Sequence, residues 1–171
     1  KNVRNNIAYL GIKESDSASM DMIFTAQSKN YFYCRDTICE YVLRQGKLPV
    51  NPFRVFDYFL GDRVDRELIR RGNNQLLKAC KELWVFGPIA DGVLFEIAQA
   101  IRQKKQIRFF RLGTRVEEIG EIKIDDISFE PEVHARQVKK TDLIAFVQNQ
   151  YIENRQINLF DFLAKGTEDE S

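Results

Sequence analysis

The feature that most constrains the fold is an alternation of short apolar runs with segments of helical periodicity. Four runs rich in large apolar residues cover positions 22–25, 48–51, 83–86 and 107–110. Between them, apolar residues recur at steps of three and four, as on one face of an α-helix. Strands that alternate with helices form a parallel sheet with right-handed crossovers. The sequence therefore predicts an α/β fold with a doubly wound, flavodoxin-like or Rossmann-like parallel sheet and the strand order 2-1-3-4.

Three helices are predicted between the four strands. Ser28 or Asn30 caps the first, which ends near Gly46. The second, over residues 64–80, is interrupted by Gly72 and has two neighbouring rows of residues at helical spacing. The first row is Val64, Leu68, Gly72, Leu76 and Cys80, and the second is Ile69, Asn73 and Leu77. The third opens at Asp91 and Gly92 and is expected to face the sheet with Leu94, Ile97, Ala98 and Ile101.

The flanking regions divide the chain into three parts. Residues 1–21 are predicted to form an N-terminal extension with one edge strand at residues 7–12, and residues 22–165 to form a single α/β domain. Within that domain we expect edge strands at residues 122–124 and 127–129, and a helix capped by Thr141 that carries Leu143, Ile144, Val147 and Tyr151. Residues 154–163 are expected to add a last docked turn, and residues 166–171 a frayed tail.

The composition excludes several classes of function. The chain has 171 residues and a formal net charge of +1, so no overall field attracts it to nucleic acid or to an acidic membrane. Three cysteines form no C-x-x-C pair and the single histidine has no companion ligand nearby, so neither a metal nor a cofactor is expected. No apolar run approaches the ~18 residues of a membrane span and no leader is recognisable, so a cytoplasmic location is predicted.

The order of the strands predicts where a ligand binds. In an open α/β sheet, ligands bind beyond the carboxyl ends of the strands, where neighbouring crossovers leave in opposite directions. That position lies between the loop after the first strand and the loop at residues 87–92. We therefore predict a substrate site formed by Thr25, Gln27, Ser28, Asn51, Gly87, Asp91 and Gly92. The aromatic segment at residues 53–59 has two interpretations, a wall of this pocket or closure of the core.

Glu96 is the candidate reactive group on the third helix. It lies in the first turn, on a row with Val93 and Ala100 that is displaced from the sheet-facing stripe. Its carboxylate can face the crevice, or it can be a surface acid near a helix N-terminus, where negative charge is favourable. Asn73 has the same two interpretations, as a crevice residue or as a polar residue at a helix edge.

The most specific pattern runs from the third strand into the third helix. It reads Ala-Cys-Lys-Glu-Leu-Trp-Val-Phe-Gly over residues 79–87 and Asp-Gly-Val-Leu-Phe-Glu-Ile over residues 91–97. This pattern resembles the signature of the nucleoside 2-deoxyribosyltransferase-like superfamily, which includes deoxynucleotide N-hydrolases. The resemblance extends over about residues 22–112 and is strongest at the motif Gly-x-x-x-Glu, formed by Gly92 and Glu96.

The resemblance implies an enzyme that cleaves the N-glycosidic bond of a nucleoside or nucleotide, with Glu96 as the nucleophile at the anomeric carbon. The family's second acid falls on Asn73, to which we assign the orientation of the substrate, and Asp91 is a candidate replacement for that acid. Relatives often have glycine after the first strand, where this chain has Thr-Ala-Gln-Ser at residues 25–28. Two alternatives remain open, a catalytically impaired nucleotide-binding or sensor module, which Asn73 favours, and an NAD glycohydrolase. Relatives often assemble, so a homo-oligomer is a further expectation.

Overall fold

A five-stranded, mostly parallel sheet organises the chain in the computed structural model, which describes residues 19–56, 63–136 and 138–148. The strands are β1 (Met22–Gln27), β2 (Leu48–Val50), β3 (Glu82–Phe86), β4 (Gln106–Arg111) and β5 (Gly120–Ile122). The helices are α1 (Arg35–Arg44), α2 (Pro52–Val55), α3 (Arg66–Ala79), α4 (Asp91–Arg102), α5 (Pro131–Ala135) and α6 (Lys140–Val147). Short 3-10 helices cover Lys29–Cys34, Val116–Glu118 and Ile124–Asp126.

The order of the strands is β2-β1-β3-β4-β5. Neighbouring strands from β2 to β4 pair in parallel, and β5 is antiparallel to β4. The predicted α/β class and the predicted order of the first four strands are therefore confirmed. An antiparallel fifth strand follows from its short connection, because a parallel neighbour requires a crossover of a dozen or more residues.

Two apolar clusters lie on opposite faces of the sheet, because successive side chains of a strand point to opposite sides. On β3, Leu83 and Val85 belong to one cluster and Trp84 and Phe86 to the other. The first cluster also contains Leu77 of α3, Val93, Leu94, Ile97 and Ala100 of α4, and Leu143 of α6. The second contains Ile38 and Val42 of α1, together with Cys34 and Phe110. Helices therefore cover both faces, with α3 and α4 on one and α1 on the other.

The second helix begins later than its first row of apolar residues predicts. Asp65 caps α3 by accepting a hydrogen bond from the amide of Glu67, so Val64 precedes the helix, and both Val64 and Leu68 are exposed. Farther along, Leu77 of the second row and Cys80 of the first are both buried in the core, and Leu76 packs against it. Both rows therefore contribute to the covered side at the C-terminal end of α3.

Several boundaries outside the central strands also differ from expectation. Ser28 caps a 3-10 helix by accepting from the amide of Asn30 at 3.1 Å, and the α-helix begins only at Arg35. Of the strand predicted at residues 122–124, only Ile122 lies in a strand, β5, and a 3-10 helix begins at Ile124. At residues 127–129 a single bridge of Phe129 replaces the predicted strand. The C-terminal helix has Lys139 and not Thr141 at its cap, without a capping side chain.

The expectations for residues 7–12, for Tyr151, for residues 154–163 and for the tail at residues 166–171 lie outside the described residues. In the portion of the chain that is described, no helix combines the length and the apolar character needed to cross a membrane.

Candidate functional site

A cavity of about 390 Å³ lies at the carboxyl ends of β1 and β3, where the crevice is predicted. Its walls come from five parts of the chain: the end of β1, helix α2, helix α3, the start of α4, and α5. The lining residues are Thr25, Gln27, Ser28, Lys29, Pro52, Phe53, Phe56, Ile69, Asn73, Ala90, Asp91, Gly92, Val93, Glu96 and Glu132. This volume falls within the usual range of small-molecule sites.

Glu96 and Asn73 meet in this cavity. Asn73 Nδ2, on α3, donates a hydrogen bond of 2.8 Å to Glu96 Oε1, on α4. Val93 and Ala100, on the same row of α4 as Glu96, are buried in the core. Glu96 thus faces the neighbouring helix and the cavity, and the alternative of a surface acid does not describe its position.

The environment of Glu96 changes its acidity. Burial raises the pKa of Glu96 to about 7 from its ordinary value of 4.5, and the hydrogen bond from Asn73 acts in the opposite direction. Both protonation states are therefore populated near neutral pH. A carboxylic acid whose pKa lies close to the working pH is suited to proton transfer as well as to nucleophilic attack.

Asn51 lies behind the cavity wall and does not line the cavity. It is 2% exposed, and its Nδ2 donates hydrogen bonds of 2.9 Å to both Thr25 Oγ1 and Gln27 Oε1. Its Oδ1 accepts from the amide of Phe53 and caps α2. Gln27 Nε2 in turn donates to the carbonyl of Tyr31 at 2.8 Å. The structure therefore corrects the prediction that Asn51 binds substrate: its polar atoms hold the end of β1 and the start of α2 together.

Gly87 is also absent from the lining residues of this cavity. Its φ is +77°, in the left-handed region that favours glycine, and its amide donates to the carbonyl of Phe110 at 3.0 Å. A Cβ at this position would lie 3.2 Å from the Cβ of Leu112. Its role is to turn the chain at the end of β3, and the prediction of direct substrate contact is corrected accordingly.

Five other residues predicted to bind substrate do line the cavity: Thr25, Gln27, Ser28, Asp91 and Gly92. Asp91 is the first residue of α4, whose N-cap is Ala90, and its Oδ2 is 2.9 Å from an Arg136 nitrogen. A Cβ on Gly92 would meet no atom within 4 Å, so this position opens directly onto space.

An aromatic wall closes one side of the cavity. Phe53 and Phe56 both line it, as one of the two interpretations of the aromatic segment expects, and residues 57–59 of that segment lie outside the described residues. A Cβ placed on Gly72 of α3 would lie only 2.9 Å from Phe56 Cζ. The glycine that looked like a weak point of the second helix is therefore the place where the ring of Phe56 approaches the helix.

Residues 127–136, here called the strap, supply a lining residue that the sequence analysis missed. The strap is held to the loop after β3 by two backbone hydrogen bonds of 2.9 Å, from Ile89 N to Ser128 O and from Glu130 N to Ile89 O. Glu132, at the start of α5, accepts from the amide of Asp91 at 3.4 Å and lines the cavity. Nothing in the local sequence signals this contact, because it depends on a pairing between distant segments.

No group of three or more histidine, cysteine, aspartate or glutamate side chains is arranged to hold a metal ion among the residues that the structure describes. The polar side chains that line the cavity are those of Thr25, Gln27, Ser28, Lys29, Asn73, Asp91, Glu96 and Glu132.

The comparisons with known proteins give one family. A model described as "Domain of unknown function (DUF7768)" matches residues 24–110. The matched segment runs from β1 to β4 and contains every lining residue of the cavity except Glu132. No curated protein matches the sequence.

Proposed function

The chain belongs to the DUF7768 family. We propose, from the site itself, that it cleaves the N-glycosidic bond of a nucleoside or nucleotide, as a hydrolase or a 2-deoxyribosyltransferase, with Glu96 as the nucleophile. One observation carries the proposal. The Glu96 carboxylate lies in a cavity of about 390 Å³ and accepts a 2.8 Å hydrogen bond from Asn73. An acidic group in a cavity of this size, with a perturbed pKa and a fixed polar partner, is the usual arrangement of a catalytic carboxylate.

In the first step, an oxygen of ionised Glu96 forms a bond to the anomeric carbon while the bond from that carbon to the base nitrogen breaks. The electron pair of the broken bond goes to the base, which takes a proton from solvent or from an acid of the crevice. Positive charge develops on the sugar ring in the transition state, and the negative charge of the carboxylate stabilises it.

In the second step, water or a second base attacks the same carbon and the bond to Glu96 breaks, which restores the carboxylate. With water the products are free base and free sugar; with a second base the product is a new nucleoside. Because each step inverts the anomeric carbon, the sequence as a whole retains its configuration.

The other residues of the cavity have roles that fit this chemistry. Phe53 and Phe56 offer flat apolar surfaces, on which a purine or pyrimidine ring stacks favourably. Asn73 holds the Glu96 carboxylate in one orientation and favours its charged form. Asn73 Oδ1 is buried and has no hydrogen-bond partner among the described residues, which is costly unless a bound ligand provides a donor after a small movement.

We also propose that the fold is of the doubly wound class. The order β2-β1-β3-β4 and the helices on both faces support this assignment. In that class the crevice opens where the connections leaving β1 and β3 diverge, which is the position of this cavity.

One observation favours a second candidate, a nucleotide-binding or sensor module that does not turn its ligand over. Asn73 occupies the position of the second acid expected from the resemblance, and an amide cannot deliver a proton to the leaving base. Loss of such an acid lowers rates by about 10²–10⁴.

The two candidates are separated by incubating the protein with ribonucleosides, deoxynucleosides, their 5′-monophosphates and NAD, and measuring free base by chromatography. Glu96→Gln is expected to lower base release by about 10³-fold or more. The matched control is Glu117→Gln, since Glu117 is largely exposed and lies outside the lining of the cavity. Base release that is unchanged in Glu96→Gln would refute the glycosidase; ligand-dependent stabilisation with no release in the parent protein would establish the binding module.

A further inference from the structure

The side-chain amide of Asn73 has only one of its two polar atoms paired. Nδ2 donates to Glu96 Oε1 at 2.8 Å, whereas Oδ1 is buried and has no hydrogen-bond partner within the described part of the chain. Because this oxygen is buried, solvent does not reach it, and an unsatisfied buried acceptor costs free energy. A donor for Oδ1 therefore has to come from a group that already contacts the amide.

Glu96 becomes such a donor when it takes up a proton. An ionised carboxylate only accepts hydrogen bonds, whereas a carboxylic acid also carries one O–H group that donates. Burial raises the pKa of Glu96 to about 7, so the acid and the carboxylate are both present near neutral pH. The hydrogen bond from Nδ2 satisfies the carboxylate, but it offers no acceptor to the acid.

The amide of Asn73 can serve both forms of Glu96 by turning over. Its oxygen and nitrogen are close in size, and half a turn about the bond from Cβ to Cγ exchanges their places. Helix α3 stays where it is, and one hydrogen bond to Glu96 is made in either orientation. Because one amide atom stays unpaired each way, the two orientations differ little in cost, and the proton on Glu96 decides between them.

We propose that Asn73 turns its amide with the proton of Glu96: Nδ2 donates to the carboxylate, and Oδ1 accepts from the carboxylic acid. Asn73 is then a positioning residue that holds the carboxyl group in one orientation in both forms. A carboxyl group that is held while protonated is already aligned when it ionises. The turn is a property of the pair itself and does not depend on the cleavage of a glycosidic bond.

Three other ionisable side chains line the same cavity: Lys29 in the 3-10 helix after β1, Asp91 on α4 and Glu132 on α5. Among the described residues, α2 and α3 contribute only uncharged side chains to the lining. Asp91 is paired with Arg136 at 2.9 Å, and Glu132 accepts from the amide of Asp91 at 3.4 Å. The pKa of Glu96 responds first to burial and second to the hydrogen bond from Asn73. The amide is therefore the polar group most directly coupled to this proton.

The test follows both side chains of the pair by NMR on the full chain, over about two pH units on either side of about 7. The ¹³C shift of Glu96 Cδ reports ionisation, and nuclear Overhauser effects from the Nδ2 protons of Asn73 to the γ protons of Glu96 report the orientation of the amide. These effects are expected at high pH and should be lost at low pH, with the midpoint of the Glu96 titration. The Cγ resonance of Asn73 should move downfield with the same midpoint, because its oxygen then accepts a hydrogen bond.

Two variants show whether Glu96 controls the turn. Glu96→Gln is expected to abolish the pH dependence of the Asn73 signals, since glutamine keeps the size of the side chain and cannot ionise. Glu117→Gln is the matched control, because Glu117 is largely exposed and lies outside the lining, and it should leave the midpoint unchanged.

Nuclear Overhauser effects from Nδ2 that persist while Glu96 is protonated would show a fixed amide and overturn the proposal. A change in the Asn73 signals that survives in Glu96→Gln, or whose midpoint differs from that of Glu96 Cδ, overturns it as well. None of these measurements uses base release. A glycosidase with a fixed amide and a turning amide without base release are therefore told apart.

Discussion

Replacing Glu96 by glutamine is expected to stabilise the folded protein by an amount that grows as the pH rises from about 4.5 to 7 and is then constant. The reason is the raised pKa of Glu96, which is about 7 in the folded chain against an ordinary value of 4.5. Below about pH 4.5 the group is protonated in both states and contributes nothing. As the pH rises from there through 7, the unfolded chain releases the proton more readily than the folded chain, so stability falls. Above about pH 7 the loss is complete.

The magnitude follows from the width of that interval. A difference of 2.5 pKa units at 1.36 kcal/mol per unit gives at most about 3 kcal/mol. Glutamine cannot ionise, so Glu96→Gln escapes this cost, and it retains an oxygen that can accept the hydrogen bond from Asn73. For a domain of this length, about 3 kcal/mol corresponds to a rise in Tm of roughly 6–12 °C.

The assay is urea unfolding of both proteins at several pH values between about 4.5 and 8.5. The chain has one tryptophan, Trp84, which is 1% exposed, so its fluorescence reports loss of the core. The difference in unfolding free energy between variant and parent should grow from near zero to about 3 kcal/mol. Titration of every other group cancels in this difference. A difference that stays constant with pH, or that shrinks as the pH rises, would refute the reasoning.

Three further predictions concern the residues around Glu96. Asn73→Asp places a second carboxyl beside that of Glu96, and because two adjacent carboxyls share a proton, the pKa of Glu96 should rise further. The rise of base release with pH should then move to higher pH, and an unmoved pH profile would contradict this. Gly72→Ala gains about 1 kcal/mol of helix propensity, but the new Cβ would lie 2.9 Å from Phe56 Cζ and push the ring aside. The two effects oppose each other, so Tm should change little. Nucleoside affinity measured by calorimetry should weaken, because Phe56 lines the cavity. Asn51→Leu should cost about 2–4 kcal/mol in urea unfolding, because buried polar partners lose their donor, and a cost below 1 kcal/mol would contradict that role.

The central strands could be predicted from the sequence because they depend on local pattern, whereas spacing alone leaves Glu96 with two positions, at the crevice or at the surface. A short apolar run bounded by turn residues indicates a buried strand. The order of the strands then places the carboxyl ends of β1 and β3 side by side. These steps need no knowledge of distant contacts.

The roles of Asn51, Gly87 and Glu132 could not be predicted in the same way. A polar residue at the end of a strand contacts either a ligand or its own neighbours, and only the positions of Thr25 and Gln27 show that Asn51 contacts its neighbours. Glu132 reaches the cavity through the pairing of Ile89 with Phe129, 40 positions further along the chain. No local periodicity encodes a single bridge of that kind.

The strap has a consequence for how this wall of the cavity can be changed. Glu96 and Asn73 lie in the segment that the family model covers, whereas Glu132 lies on the strap, outside that segment. The strap is attached by backbone hydrogen bonds to Ile89 and also by Ile127 and Val133, which are buried in the core. Exchanging the strap as a block would therefore alter the core together with the cavity wall, whereas a substitution at exposed Glu132 alters the wall alone.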